Sequence, residues 1–516
     1  MTVLKSTIKL AVATLIFRLL GFVRDMVLAA GYGAGTVSDA FILANVIPTM
    51  VFSGLGMAIA NSFLPQYQES GEDKEYFLSN VLNIVLIGSV IIAFIFMLAP
   101  QFLVFLFASQ LDSDTFALTT SFLQISIWTA IPLLLIYLFR ISLHTKGVFF
   151  VSQLALLCIN IGSISAIAAS YYTGQLNLMP IGLLLGNLLS LAVMAVMAIK
   201  HGFTYRPIIN LKDDRIRNML PFMAPLLIAM IGEELQHIID KNFASSLEAG
   251  TISALGYSGR ISSQFSVIIG MSIAAVMYPK MMKLGSSGET ELLVGYVKKY
   301  LQMLIPLTLP FTVGLILLAE PATALLYERG AFTPEDTRIT AESLRMYTIG
   351  IGFISTNLFL SKMFFAVNDT KTPVRLHLIT ICVGVILNFI LIGPMRHMGL
   401  ALSTSLSGIL HTALLLWALR RRFGILGIMD LKKECFKALS ATFVMGFTVW
   451  AGIQFLPITE GGSLQMLILT AIPVIMGIGI YFFIHFLFRS IFLCNCIAII
   501  KKNLKMQRDE NYGKKR

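Results

Sequence analysis

Stretches of roughly 20 consecutive apolar residues recur from one end of this 516-residue chain to the other, and about 20 residues of α-helix cross a hydrocarbon core about 30 Å thick. No other local signal constrains the fold as much. Backbone groups in lipid must be satisfied internally, which leaves helices and closed barrels as the only spanning structures. The stretches are too long and too uniformly apolar for the alternating pattern of about ten residues that a transmembrane barrel needs. They fall at 7–31, 37–62, 80–107, 118–143, 148–172, 177–201, 219–243, 254–279, 297–320, 339–367, 373–394, 398–420, 436–456 and 465–488, which predicts fourteen helices. With 56% hydrophobic and only 13% charged residues, the chain reads as an all-α polytopic membrane protein, neither a soluble enzyme nor a disordered polymer.

Charge placement orients the spans, because cytoplasmic loops carry an excess of Lys and Arg. Alternate loops collect Lys5, Lys9, Lys74, Lys146, Lys200, Arg206, Lys212, Lys280, Lys283, Lys371, Arg420, Arg421, Arg422 and the basic tail, while the opposite side holds little beyond Arg329, Arg338 and Arg396. Both termini are therefore expected in the cytoplasm. The net charge of +12 is mostly this asymmetry; no basic surface interleaved with aromatics points to nucleic acid. The first apolar run is read as a retained helix, since it carries two arginines and continues past any small-residue cleavage site. Cys158, Cys382, Cys435, Cys494 and Cys496 form no paired framework and are expected to be reduced thiols.

The chain is duplicated internally. Ala34-Gly35-Thr36-Val37-Ser38 reappears as Ala249-Gly250-Thr251-Ile252-Ser253, and Gly56-Met57-Ala58-Ile59-Ala60 as Gly270-Met271-Ser272-Ile273-Ala274, at offsets of 215 and 214 residues. At the same spacing Asp25 falls on Asp240, and Thr145-Lys146 echoes Thr370-Lys371 after a further insertion. Six helices separate the copies, an even number, so the two halves share one orientation across the membrane. The expected organisation is two parallel six-helix lobes, 1–205 and 206–425, around a central cavity, with two additional helices in 426–490 and a basic tail in 491–516.

Ionisable residues inside the spans mark the expected site, because a charge near the bilayer centre costs roughly 2.5–3.5 kcal/mol on insertion scales and persists where it faces protein or water. Arg18 and Asp25 are seven residues apart on one face of the first helix, with Arg24 round the axis and Gly21 between. Two free guanidinium groups suit a phosphate or pyrophosphate, which they hold with paired N–H bonds; an internal Arg18–Asp25 pair is the structural alternative. The seventh helix carries Glu233, Glu234, His237, Asp240 and Lys241 at spacings of three and four, a polar stripe able to carry a proton or sodium ion, or to form an interlobe salt-bridge network. Arg260 lies among Ser258, Ser262 and Ser263 in the eighth helix and is expected to join the cavity.

Several segments resemble one family. Arg18-Leu19-Leu20-Gly21-Phe22-Val23-Arg24-Asp25, Gly33-Ala34-Gly35, Ser38-Asp39-Ala40-Phe41 and Phe63-Leu64-Pro65 look like the N-terminal signature of the MurJ (MviN) lipid II flippases. Asp240 before Phe243-Ala244-Ser245, Tyr257 with Arg260, Tyr327 with Gly330-Ala331-Phe332-Thr333, and Asp369-Thr370-Lys371-Thr372-Pro373 extend the resemblance over nearly the whole chain.

The resemblance implies a member of the multidrug/oligosaccharidyl-lipid/polysaccharide exporter superfamily, with a groove at the two extra helices for an undecaprenyl tail. It implies translocation of an undecaprenyl-pyrophosphate-linked peptidoglycan precursor across the bacterial plasma membrane by a monomer surrounded by membrane lipids. It also implies cavity roles for Arg18, Arg24, Asp39 and Arg260, and a sodium ion near Asp240 and Asn388. One departure stands out: the position where many relatives have a cavity arginine, shortly after the proline of the second helix, holds Phe52. Another polyprenyl-linked glycan is therefore the alternative cargo, and a cation-coupled drug exporter a further one. No nucleophile elbow, Walker loop or His-Glu-x-x-His is present, so transport rather than catalysis is expected, driven by an ion gradient or the membrane potential at about 2.3 kcal/mol per charge per 100 mV.

Overall fold

The computed structural model describes residues 2–490 apart from 288, 368, 370, 425–427, 456–462, together with residue 493. Side chains are further left out at 2–12, 72, 224–226, 228–233, 271–276, 278–280, 286, 290, 428–431, 463–467 and 469. Cys494, Cys496 and the basic tail lie outside the described residues.

The regular structure of the described residues is helical: α1 (Thr2–Tyr32), α2 (Thr36–Glu69), α3 (Lys74–Leu98), α4 (Pro100–Phe107), α5 (Ser113–Ser126), α6 (Ala130–Thr145), α7 (Phe149–Ala155), α8 (Leu157–Thr173), α9 (Leu178–Lys200), α10 (Asp214–Ala244), α11 (Thr251–Ser286), α12 (Thr290–Leu317), α13 (Ala319–Tyr327), α14 (Pro334–Ile349), α15 (Ile351–Ala366), α16 (Lys371–Phe423), α17 (Ile428–Phe455) and α18 (Ser463–Leu487). Each expected span coincides with one helix, an adjoining pair, or half of α16, which bends at Arg396, a non-glycine residue at φ 49°. Among the described residues, nine helices are long and apolar enough to cross a membrane, or up to ten if α14 and α15, bent by 44°, count as one. The expected single spans break where local chemistry demands it. Pro100 starts α4 at the first helical position, where its missing N–H costs nothing.

The residues gather into two compact units. The first runs to Tyr257 and adds Tyr327–Asp336; the second comprises Ser258–Leu326 and the chain from Thr337.

In the first unit an aromatic core of Phe63, Tyr67 and Phe77 is buried, with Phe63 stacked between the other two at 4.9 and 5.3 Å. Phe203 leads the segment between α9 and α10, and its ring meets Phe139 edge-on. That segment is pinned along α3, where Asn80 exchanges bonds with the Asn210 backbone and Asn83 donates to the carbonyls of Arg206 and Ile208. The carboxamides thereby satisfy backbone groups that have no secondary structure to bond to.

The second unit is centred on Tyr300, stacked at 3.4 Å on Phe359 and donating to the Ser355 carbonyl at 3.1 Å. Leu360, Met363, Leu415 and Leu419 complete its core.

Candidate functional site

The charges of α1 lie away from its exposed side. Leu15, Leu19 and Val23 are 48%, 58% and 42% exposed and recur every four residues along one apolar stripe. At about 100° per residue, Arg18, Asp25 and Arg24 stand about 100°, 120° and 140° from that stripe. The polar residues are thus turned from the face that meets lipid, as the cost of exposing them to hydrocarbon requires.

Arg24 is not the unencumbered guanidinium that the sequence led one to expect. Its Nε and one Nη donate to Asp25 Oδ1 at 3.0 and 2.7 Å, and the two side chains are only 13% and 11% exposed. Adjacent helical residues do not normally face each other; the long arginine stem swings round to reach the carboxylate because a largely desolvated charge gains more from a partner than it loses in side-chain freedom. Arg18 is half-buried on the same helix.

Asp39 sits in the first turn of α2, 2% exposed. Its two oxygens accept from the backbone N–H groups of Gly250 at 2.7 Å and Ser253 at 2.6 Å, at the start of α11, where the first N–H groups of a helix have no partner of their own. A carboxylate there also meets the positive end of the helix dipole. Around it the α1–α2 turn and residues 327–336 are knitted together. The Ala331 N–H donates to the Ala30 carbonyl at 2.8 Å, and the Ser38 hydroxyl to the Gly33 carbonyl at 2.7 Å. Tyr257 and Tyr327 lie 4.9 Å apart, with Phe332 and Phe22 against Tyr327. Gly33 and Gly250 adopt φ of 63° and 93°, and a Cβ on Gly250 would collide with the Ala34 carbonyl. The separate motifs that carry the family resemblance, 33–39, Tyr257 and 327–333, therefore form one node.

The stripe on α10 is positioned against α2. Ser53 donates to Glu234 Oε1 at 3.4 Å; Asp240 and Lys241 are half-buried and His237 is exposed. The Glu233 side chain lies outside the described residues. In the second unit Arg260 is half-buried on α11, with the Ser263 hydroxyl bonded to its carbonyl at 3.1 Å and Ser262 tied to the Tyr347 carbonyl at 3.3 Å. Asn388 is 1% exposed in the first half of α16.

Arg140 on α6 was not among the expected site residues. Its guanidinium lies 4.8 Å from the centre of the Tyr137 ring, and the Tyr137 ring in turn lies against Gly56 of α2. The signal was present as a cation in an apolar span, masked by its closeness to Lys146, which makes it look like an ordinary span-end charge that reaches for the interface. Phe52 is fully buried and meets Phe96 edge-on at 6.1 Å, so that position serves packing.

The second unit also holds an apolar groove of about 790 Å³, walled by Val313 and Leu317 of α12 and by residues of α17 that include Leu439, Phe443, Phe447 and Trp450. A smaller one of about 380 Å³ follows between α17 and α18, at Phe447, Phe455 and Pro473.

A family model described as lipid II flippase MurJ matches residues 28–471. A probable lipid II flippase MurJ of Rickettsia prowazekii is 28% identical over 427 residues, 80% of this chain and 83% of the relative. Among solved structures, a lipid II flippase MurJ in an inward closed conformation matches with a TM-score of 0.80 at 26% identity, over 93% of this chain and 98% of that one. An inward-facing multidrug transporter of the MATE family matches with a TM-score of 0.67 at 14% identity, over 83% of this chain, a likeness of fold alone.

Proposed function

Because the chain belongs to the lipid II flippase MurJ family, we propose that it carries lipid II from the inner to the outer leaflet of the bacterial plasma membrane by alternating access. The observation that carries this reading is its likeness to a lipid II flippase structure over almost the whole chain. The site chemistry supports it: Arg18 and the Arg24–Asp25 pair, turned from the exposed face of α1, suit a pyrophosphate head group, to which arginine offers paired N–H donors. Arg260 is a further cation on α11. Asp39 builds the node at the start of that helix, so its contribution is to hold the helix that bears Arg260. The groove between α12 and α17 takes the polyisoprenoid tail, its walls being almost wholly apolar.

Two parallel six-helix repeats, 1–205 and 206–425, provide the halves that move, with both termini in the cytoplasm and a monomer as the working unit. A sodium ion is a hard cation that takes oxygen ligands; the carboxylate of Asp240 and the buried carboxamide of Asn388 are donors of that class, and Glu233, Glu234 and His237 extend the polar stripe beside Asp240. The membrane potential adds about 2.3 kcal/mol per translocated charge per 100 mV.

Phe52 favours one second reading, a different polyprenyl-linked glycan, since packing occupies the place of a cavity cation. The deciding experiment is depletion of the native flippase in a bacterium that expresses this chain. Survival with lipid II reaching the outer leaflet is expected; lysis with lipid II held on the inner leaflet, despite normal insertion of the protein, would refute the lipid II reading.

A further inference from the structure

Pro310 leaves a gap in the hydrogen-bond ladder of α12. In an α-helix the N–H of residue 310 would bond the carbonyl of residue 306, and proline has no N–H to give. The Pro306 carbonyl therefore lacks its partner within the helix, inside a span where lipid offers no donor. Tyr481 of α18 fills the gap: its hydroxyl donates to the Pro306 carbonyl. The tyrosine is 4% exposed and packs with Ala441 and Met445 of α17, its ring 4.5 Å from that of His485.

Val313 and Leu317 lie seven and eleven residues beyond Pro306, which puts each within about 20° of Pro306, one to either side, on the same face of α12. The stripe that receives Tyr481 is the one that walls the apolar groove. We propose that Tyr481 is a positioning residue for the lipid tail: its hydroxyl fastens the α17–α18 pair to the acceptor that Pro310 exposes, and so holds the groove at the width a long polyisoprenoid chain needs. This rests on the reading of the groove as the tail site.

Tyr481→Phe keeps the ring and its packing but removes the donor; Pro310→Ala restores the N–H that satisfies Pro306 from within α12. The proteins are compared in lipid nanodiscs by amide hydrogen exchange in α12 and α18, and by binding of polyprenyl phosphates with long and short tails. Tyr481→Phe is expected to speed exchange at both helices and weaken long-tail binding by about five- to tenfold, the effect of one buried acceptor left unmet, with short-tail binding unchanged. In the Pro310→Ala background the same substitution is expected to change neither.

Native exchange in Tyr481→Phe, or the same loss in both backgrounds, would overturn the anchor. Faster exchange with unaltered long-tail binding would overturn the tail role of the groove while leaving the anchor in place. Equal weakening of long and short tails would reduce Tyr481 to general fold support. None of these results depends on whether the chain flips lipid II, which the depletion experiment reads separately.

Discussion

Asp39 accepts a 2.6 Å hydrogen bond from the backbone N–H of Ser253, the residue that the internal duplication pairs with Asp39's own neighbour, Ser38. The start of α2 thus caps the start of its repeat partner, α11. Asp39→Asn replaces one acceptor oxygen by an N–H group facing another N–H, and leaves a buried backbone donor unmet. The expected loss is about 1–3 kcal/mol of stability, read as a lower thermal midpoint of protein that still inserts into the membrane. Gly250→Ala is expected to disturb the same node through its φ of 93° and its collision with the Ala34 carbonyl. An unchanged midpoint in both variants would remove the capping role.

The Arg24–Asp25 pair separates structural from functional charge. Arg24→Ala breaks a largely buried ion pair from one side, which typically costs about 3–5 kcal/mol; adding Asp25→Asn removes the carboxylate charge as well. The double variant is expected to recover expression and thermal stability yet to stay inactive in the flippase-depletion assay, as the proposed head-group role of the guanidinium requires. Recovery of growth along with stability would make the pair a strut and nothing more.

The spans, the duplication and the intramembrane charges of α1 were readable in the sequence because each is set by local composition or by a fixed offset. What was hidden depends on groups far apart in the chain or on side-chain reach. Asp39 read as a cavity residue, yet its ligands are backbone N–H groups more than 200 positions away, which side-chain pattern does not reveal. Arg24 finds its partner at the adjacent position, which helical geometry alone disfavours. Phe52 read as a missing cation, whereas its burial against Phe96 shows a position given over to packing. The breaks at Pro100 and Gly350 divide spans that hydropathy runs together.

Acidity should loosen the start of α10. Asp213 caps that helix, and its hydrogen bonds from the Arg215 guanidinium, at 2.9 and 2.7 Å, hold the carboxyl below its ordinary 3.8. A carboxyl depressed in the folded state contributes stability that is fully present above its unfolded value and is lost as pH falls through the folded one. Hydrogen exchange at the 204–213 segment and the first turn of α10 is therefore expected to be flat from neutral pH down to about 4 and to rise below it, after correction for intrinsic exchange. Asp213→Asn should abolish the rise. A wild-type profile without it would show that the cap carries no stability.

Filling the α12–α17 groove tests whether tail and head group are held by different parts of the protein. A Cβ on Gly446 would lie 2.9 Å from a Val313 methyl carbon, closer than packed carbons approach, so a larger side chain there must push the two helices apart or occupy the groove itself. Overpacking of this kind typically costs about 1–3 kcal/mol. Gly446→Leu is accordingly expected to insert, with a thermal midpoint lowered by a few degrees. Its binding of a long-tailed polyprenyl pyrophosphate should weaken about tenfold or more, as lost apolar burial of about 1.4 kcal/mol would dictate. Binding of a short-tailed analogue, which under the proposed function depends on its head group and not on the groove, should stay near wild type. Were the two analogues to weaken alike, the groove would have no separate share in recognising the tail, and the two-part division of the site would have to be given up.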